Sequence, residues 1–179
     1  MRKTESQKIA LCGVLGALSV VLLLLGSVLQ IATYAAPMLA AFLMIPVLQD
    51  CGPKYALLLY ATVSILAVLL VPEAEMAFFY VLVMGYYPTL RLKLQTIKST
   101  LLRWLVKFAI FNAGTVLVYA VLFALTGPAV LQELLADGTA MLAALLAVGN
   151  LSFWLFDRAL ITLTRYYTVV LKPKLKKKW

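Results

Sequence analysis

The chain has 179 residues, of which 64% are hydrophobic and 13% are charged, and its mean hydropathy is +1.00. These values lie far outside the usage of soluble globular domains and predict a protein whose solvent is lipid. The net charge of +9 would suit a nucleic-acid-binding domain, but the basic residues lie in loops and tails between apolar segments. Membrane topology accounts for that distribution, so nucleic acid is not expected as a partner.

Apolar segments recur along the chain at about the length of 20 residues that a helix needs to cross a bilayer. Because lipid offers no partners to backbone groups, each segment must satisfy its own hydrogen bonds, which predicts an all-α bundle. We expect a single transmembrane domain of about six helices, over residues 8–28, 36–50, 54–71, 75–92, 103–126 and 139–171, with a basic cytosolic tail over 172–179.

The second helix begins at Ala36-Pro37, ends before Gly52-Pro53, and is short for a membrane span, so it must be tilted, half-buried by its neighbours or extended into the preceding link. The segment from Leu94 to Lys107 mixes cations with apolar residues, which predicts a helix at headgroup level that leads directly into the fifth helix. The sixth helix is expected to run unbroken to Leu171, with Pro173 marking its latest end.

The distribution of charge predicts the orientation of the chain. Lys and Arg fall between alternate pairs of helices and in both terminal segments, whereas the three other loops carry only Glu73, Glu75, Glu133 and Asp137. Because basic residues in short loops stay on the inner side, both termini are predicted to be cytosolic in a multi-pass protein of the cell membrane. A five-helix alternative would split the basic residues between the two faces.

Several kinds of chemistry are disfavoured by the composition. Histidine is absent, no carboxylates are paired at catalytic spacing within a span, and no glycine-rich phosphate loop occurs. The sequence therefore predicts no enzyme, no metal site and no cofactor. Intramembrane catalysis would require Asp157 or the pair Glu73 and Glu75 to carry it.

Three polar residues are predicted inside membrane spans, where polarity usually faces the protein interior or a cavity. Asn112 and Asn150 both fall near mid-depth, where they could hydrogen-bond to each other or line a substrate pocket. Asp157 needs a donor from another helix, which favours a structural ion pair with a cation on a neighbouring helix over proton coupling. Arg158 can extend toward the inner headgroups.

Two groups of residues are candidates for binding. Three small residues, Ala10, Gly13 and Ala17, fall on one face of the first helix. Such a face suits either packing within the chain or docking of a partner subunit. Aromatic side chains in the outer half suit either an interfacial belt or the wall of a pocket for a flat ligand. Together with polar positions, the candidate substrate-binding residues are Gln30, Tyr34, Phe78, Tyr80, Asn112, Asn150 and Trp154.

These features together resemble the membrane-embedded S components of energy-coupling factor transporters, the substrate-capturing subunits of vitamin and metal importers. The first helix opens with the segment from Lys8 to Ser19, and in this family a small-residue face on that helix docks on a transmembrane coupling subunit. Gly13 and Ala17 stand where such a face would be. The resemblance implies a substrate site near the outer face, where residues 30–34 and 73–80 would lie. It also implies that ATPases act from separate chains.

The leading hypothesis is thus a subunit that captures a vitamin-like small molecule from outside and depends on a separate ATP-driven module. The alternative is a non-transporting integral membrane factor, such as a lipid-handling or complex-assembly protein, whose basic inner face recruits partners. Membrane lipid is a partner under both hypotheses.

Overall fold

The computed structural model describes residues 4–29, 33–127 and 138–176. Throughout these ranges the chain is helical or in short turns, and no strand occurs in them. The prediction of an all-α fold is therefore confirmed. Gln30, Glu133 and Asp137, which the sequence placed in outer loops, lie outside the described residues.

The helices follow one another with short connections. Their bounds are α1 Glu5–Leu29, α2 Ala35–Phe42, α3 Met44–Asp50, α4 Pro53–Leu70, α5 Ala74–Phe79, α6 Tyr87–Leu94, α7 Thr100–Thr126, α8 Gly138–Tyr166 and α9 Lys172–Lys176. Two π-helical turns follow α-helices directly. Tyr80–Met84 continues α5 in the direction of α6, and Tyr167–Leu171 connects α8 to α9.

Four helical stretches are long and apolar enough to cross a membrane, namely Glu5–Leu29, Pro53–Leu70, Thr100–Thr126 and Ala143–Lys174. Large apolar side chains stand exposed along them, as lipid contact requires. The α2–α3 pair and the α5–α6 pair are interrupted passes between these long helices. The described residues thus form a helical bundle of a multi-pass membrane protein.

Prolines account for the interruptions. Pro46 cannot donate to the carbonyl of Phe42, so the helix expected over 36–50 divides at Leu43 into α2 and α3. Pro88 lies in the first turn of α6 and likewise divides the expected fourth helix. Pro173 lies in the first turn of α9, which follows α8 through a π-helical turn, so helical structure continues beyond Leu171.

The segment from Leu94 to Lys107 also differs from the prediction. Helix α6 ends at Leu94, and α7 begins only at Thr100, where the Ser99 side chain accepts a hydrogen bond from the Leu102 N–H at 3.4 Å. Lys107 is 4% exposed and lies inside the bundle instead of at headgroup level. A buried partner, described below, accounts for this position.

Two apolar clusters fill the bundle and share the interrupted passes. The first joins α1 and α4 to α2, α3 and α5, and includes Leu23, Met44 and Val63. The second joins the interrupted passes to α7 and α8 and is rich in aromatic rings, with Phe111 and Phe153 stacked at 4.6 Å between centroids. The α2–α3 and α5–α6 passes are therefore central, and the four long helices surround them.

The two ends of the bundle differ in charge. At one end, Asp50 at the end of α3 contacts Tyr167 and Lys172, which follow α8, and Glu5 of α1 contacts Tyr55 of α4. We call this the basic end, because the described Lys and Arg residues lie in the halves of the helices that point to it. We call the other the acidic end, since Glu73 and Glu75 lie there.

Candidate functional site

A cavity of about 430 Å³ opens at the acidic end. Ser27 from the end of α1, Thr33, and Pro72 with Glu73 after α4 line it. The Glu73 N–H donates to the Ser27 hydroxyl oxygen at 3.1 Å, which fixes the backbone of Glu73 against α1. The family resemblance implied a ligand site in this region.

The Glu73 carboxylate is the unusual group of this cavity. Its Oε2 atom is buried and accepts no hydrogen bond from the described residues. An unpaired buried acceptor costs about 1–3 kcal/mol, and more when it is charged. A ligand that brought an N–H donor or a cation into the cavity would remove that cost.

A second carboxylate, two residues along the chain from Glu73, is held by two tyrosines. Glu75 Oε1 accepts hydrogen bonds from the hydroxyl groups of Tyr34 at 2.8 Å and Tyr119 at 2.9 Å. The Tyr34 ring also meets Phe79 edge-on, with centroids 5.0 Å apart. Burial, the Tyr119 hydroxyl and the Glu75 carboxylate raise the pKa of Tyr34, which keeps this phenol protonated as a donor. The network ties the segment before α2 to α5 and α7.

Inside the bundle lies a buried charge cluster of four side chains, which we call the Asp157 cluster. Asp157 is fully buried on α8 and accepts hydrogen bonds from three donors on other helices. These donors are Tyr87 Oη at 2.7 Å, Arg91 Nε at 3.1 Å and Lys107 Nζ at 2.7 Å. The prediction that Asp157 forms an ion pair with a cation on a neighbouring helix is confirmed.

The Asp157 cluster is electrostatically unbalanced. Arg91 and Lys107 each contact the one carboxylate of Asp157, and their side chains are 8% and 5% exposed. Two cations against one carboxylate leave one positive charge uncompensated among the described side chains of the cluster. Buried charge is stable only where it is paired, so an additional anion would be stabilising here.

The two asparagines expected at mid-depth do meet. Asn112 Nδ2 donates to Asn150 Oδ1 at 2.9 Å, and Asn150 Nδ2 donates back to Asn112 Oδ1 at 3.2 Å. Each amide also donates to a carbonyl of its own helix, at Phe108 and at Leu146, both at 2.8 Å. Because the N–H donors of both amides are thereby used, the structure places this pair as a link between α7 and α8.

The other candidate substrate-binding residues that the structure describes are Phe78, Tyr80, Trp154 and Tyr34. Phe78 is partly buried against the second apolar cluster, and Tyr80 is fully buried with its ring 6.4 Å from that of Tyr60. Trp154 is 36% exposed, and the guanidinium carbon of Arg158 lies 5.5 Å from its ring centre. Tyr34 belongs to the Glu75 network. None of the candidate residues that the structure describes is among the lining residues of the cavity at the acidic end.

The small-residue face of α1 is exposed in the described part of the molecule. Ala10, Gly13 and Ala17 are exposed, and a methyl group added at Gly13 would meet no atom within 4 Å. Gly16, on another face, packs against Leu59 of α4, where an added methyl group would approach to 3.0 Å. Packing within the chain, one of two interpretations of the face at Gly13, is therefore not found in the described part of the molecule.

The sequence missed the specific roles of three residues. Glu73 was placed in the region of the expected substrate site, but its unpaired oxygen was not predicted, and Arg91 and Lys107 were counted only as charges of the inner side. The sequence did carry a signal for Lys107. This cation is the eighth residue of the largely apolar helix α7, which contains no carboxylate that could pair with it. An intramembrane cation of that kind normally has a partner on another helix.

No family model, curated protein or solved structure matches the chain. The described residues hold no group of three or more His, Cys, Asp or Glu side chains that could bind a metal ion. Inferences about function therefore rest on the geometry of the two ends, the buried cluster and the face of α1.

Proposed function

We propose that this chain is the substrate-binding membrane subunit of an energy-coupling factor type importer in the cell membrane. It captures a small, vitamin-like molecule at the acidic end, which faces outside, while both termini remain cytosolic. It performs no catalysis itself, and a separate transmembrane coupling subunit with ATPases supplies the energy for release inward. The separation of basic and acidic residues between the two ends supports this orientation.

The observation that carries the proposal is the cavity at the acidic end with its unpaired Glu73 oxygen. A volume of about 430 Å³ is within the usual range for small-molecule sites, which hold a few polar groups in a concave surface. The buried oxygen selects for a ligand with an N–H donor or a positive charge. The Glu75 network, in which Tyr34 and Tyr119 both donate to that carboxylate, holds the chain segments next to the lining residues Thr33 and Glu73 in place.

The exposed small-residue face of α1 supports the proposed partner. Small side chains let a second helix approach closely, and close approach is how helices associate in a membrane. Gly13 has open space in front of it, so the face can receive a helix without rearrangement of the described residues.

The test of ligand capture is native mass spectrometry of the full chain, purified gently from its own membranes. We expect the wild-type chain to carry a bound small molecule. Glu73→Gln should lower the affinity for this molecule by about ten- to a hundredfold, because it removes a hydrogen bond to a charged group. Glu5→Gln removes the same charge at the basic end and serves as the matched control. If no small molecule accompanies the wild-type chain, capture is refuted.

The test of partnership is co-purification of a coupling subunit and ATPases with the tagged chain. Gly13→Leu should abolish it, because a bulky side chain would fill the open face, whereas Val14→Leu changes an adjacent, already bulky exposed position. Co-purification of other membrane complexes alone, without ATPases or ligand, would favour the non-transporting assembly factor instead.

A further inference from the structure

A second cavity, of about 200 Å³, lies at the basic end of the bundle. It is bounded by α3, α6, the inner part of α8 and the π-helical turn after it. Arg91 and Arg165 contribute two guanidinium groups to its lining, and Gln95 and Thr164 add uncharged hydrogen-bonding groups. No carboxylate is among the described residues that line it.

Arg91 connects this cavity to the buried Asp157 cluster. Its Nε donates to Asp157, and that is the hydrogen bond its guanidinium group makes with the described residues. The four N–H donors on its two Nη atoms are therefore left for the cavity that Arg91 lines. Because Lys107 claims the other oxygen of Asp157, the positive charge of the cluster is not balanced from within.

The rest of the lining is apolar. Ile45 and Leu48 of α3 and Leu160 of α8 form the inner wall, and Leu92 stands exposed at the rim. A guanidinium group beside an apolar wall suits a ligand with an anionic group at one end and hydrocarbon at the other. Basic pockets between membrane helices on the cytosolic side bind lipid headgroups by this combination.

We propose that the cavity at the basic end binds a phosphate group through Arg91 and Arg165. The fork of an arginine matches phosphate oxygens with two parallel hydrogen bonds, and here one arginine is held in place by Asp157. The bound anion also balances the excess charge of the Asp157 cluster. The apolar wall makes a phospholipid headgroup the favoured carrier, and a soluble phosphate ester shares the same chemistry.

The experiment uses the full chain in nanodiscs of phosphatidylcholine that contain a minority of phosphatidylglycerol. Native mass spectrometry after transfer to mild detergent should show retained phosphatidylglycerol in excess of phosphatidylcholine. Arg165→Gln should weaken retention about fivefold, since Arg165 is exposed and its loss removes one charged contact. The matched control is Lys93→Gln, which removes a charge from exposed α6 surface that is not part of the cavity lining.

Competition with glycerol 3-phosphate and with inorganic phosphate distinguishes the sources. Displacement of the lipid only at high concentration assigns the site to a lipid headgroup, and displacement at low concentration assigns it to a soluble phosphate ester. Equal loss in Lys93→Gln and Arg165→Gln, or no preference for the anionic lipid, overturns the proposal. This result would leave ligand capture at the acidic end untouched, because the two cavities lie at opposite ends.

Discussion

Replacing Asp157 by asparagine is the sharpest test of the buried charge cluster. The substitution keeps the size of the side chain and one acceptor oxygen but removes the negative charge. Lys107 and Arg91 would then lie buried without a counterion, with side chains 5% and 8% exposed. Removing one partner of a buried ion pair costs about 3–5 kcal/mol. Since two cations lose their partner here, we expect Asp157→Asn to cost at least about 3 kcal/mol.

Replacing Lys107 by methionine should have a much smaller effect. Methionine keeps an unbranched apolar stem beside Trp104, whose ring centre lies 4.7 Å from Lys107 Nζ. The variant loses a charged hydrogen bond, but Asp157 stays paired with Arg91 and still accepts the hydrogen bond of Tyr87. The cluster then has no net charge. We expect a cost below about 2 kcal/mol, and we expect Lys107→Met to reduce the damage when it is added to Asp157→Asn.

The assay is reversible unfolding of purified protein in mixed micelles by increasing mole fraction of denaturing detergent, followed by circular dichroism and by tryptophan fluorescence. The three variants and the wild-type chain form a double-mutant cycle, so the coupling between the two residues is read directly. A cost for Asp157→Asn of less than about 1 kcal/mol would contradict the expectation that two buried cations lose their counterion, because breaking a buried ion pair costs more than that. So would a cost for Lys107→Met as large as that of Asp157→Asn.

Two further predictions follow from α7 and α8 and use the same unfolding assay. Asn112→Leu and Asn150→Leu should each destabilise the chain, and a cycle over both should give a coupling of about 0.6–1.7 kcal/mol; additive costs would show that the amides do not act as a pair. Gly114→Ala should cost about 1–3 kcal/mol because its methyl group would approach a backbone oxygen of the neighbouring pass at 2.8 Å. Gly149→Ala, whose methyl group meets a ring at an ordinary 3.8 Å, should be nearly neutral, and equal costs for the two glycines would contradict this packing.

Composition and hydropathy were sufficient to predict the all-α membrane bundle, because lipid restricts what a backbone can do. The need of Asp157 for a donor was also predictable, since an isolated carboxylate is not stable in a span. The identity of the donors was not. Arg91 and Lys107 are 66 and 50 residues away along the chain, and a charge count assigns such residues to loops.

The interruptions of the central passes were harder to predict for a different reason. Pro46 and Pro88 can start, kink or end a helix, and the outcome depends on which neighbours can receive the freed carbonyl groups. The cavity at the acidic end was expected only from a family resemblance, and the aromatic residues proposed to line it turned out to lie elsewhere. Tyr80, for example, points into the first apolar cluster.

The interrupted passes also constrain how the chain is made. A nascent segment enters the bilayer on its own account when it is long and apolar enough, and Ala35–Asp50 is shorter than the four long helices. Half of α2, four of its eight residues, is buried against other helices and gains nothing from lipid. We therefore expect insertion of this pass to wait for its neighbours α1, which packs on α2, and α4, which packs on α3. A nascent chain that ends before α4 would leave Ala35–Asp50 at the membrane surface.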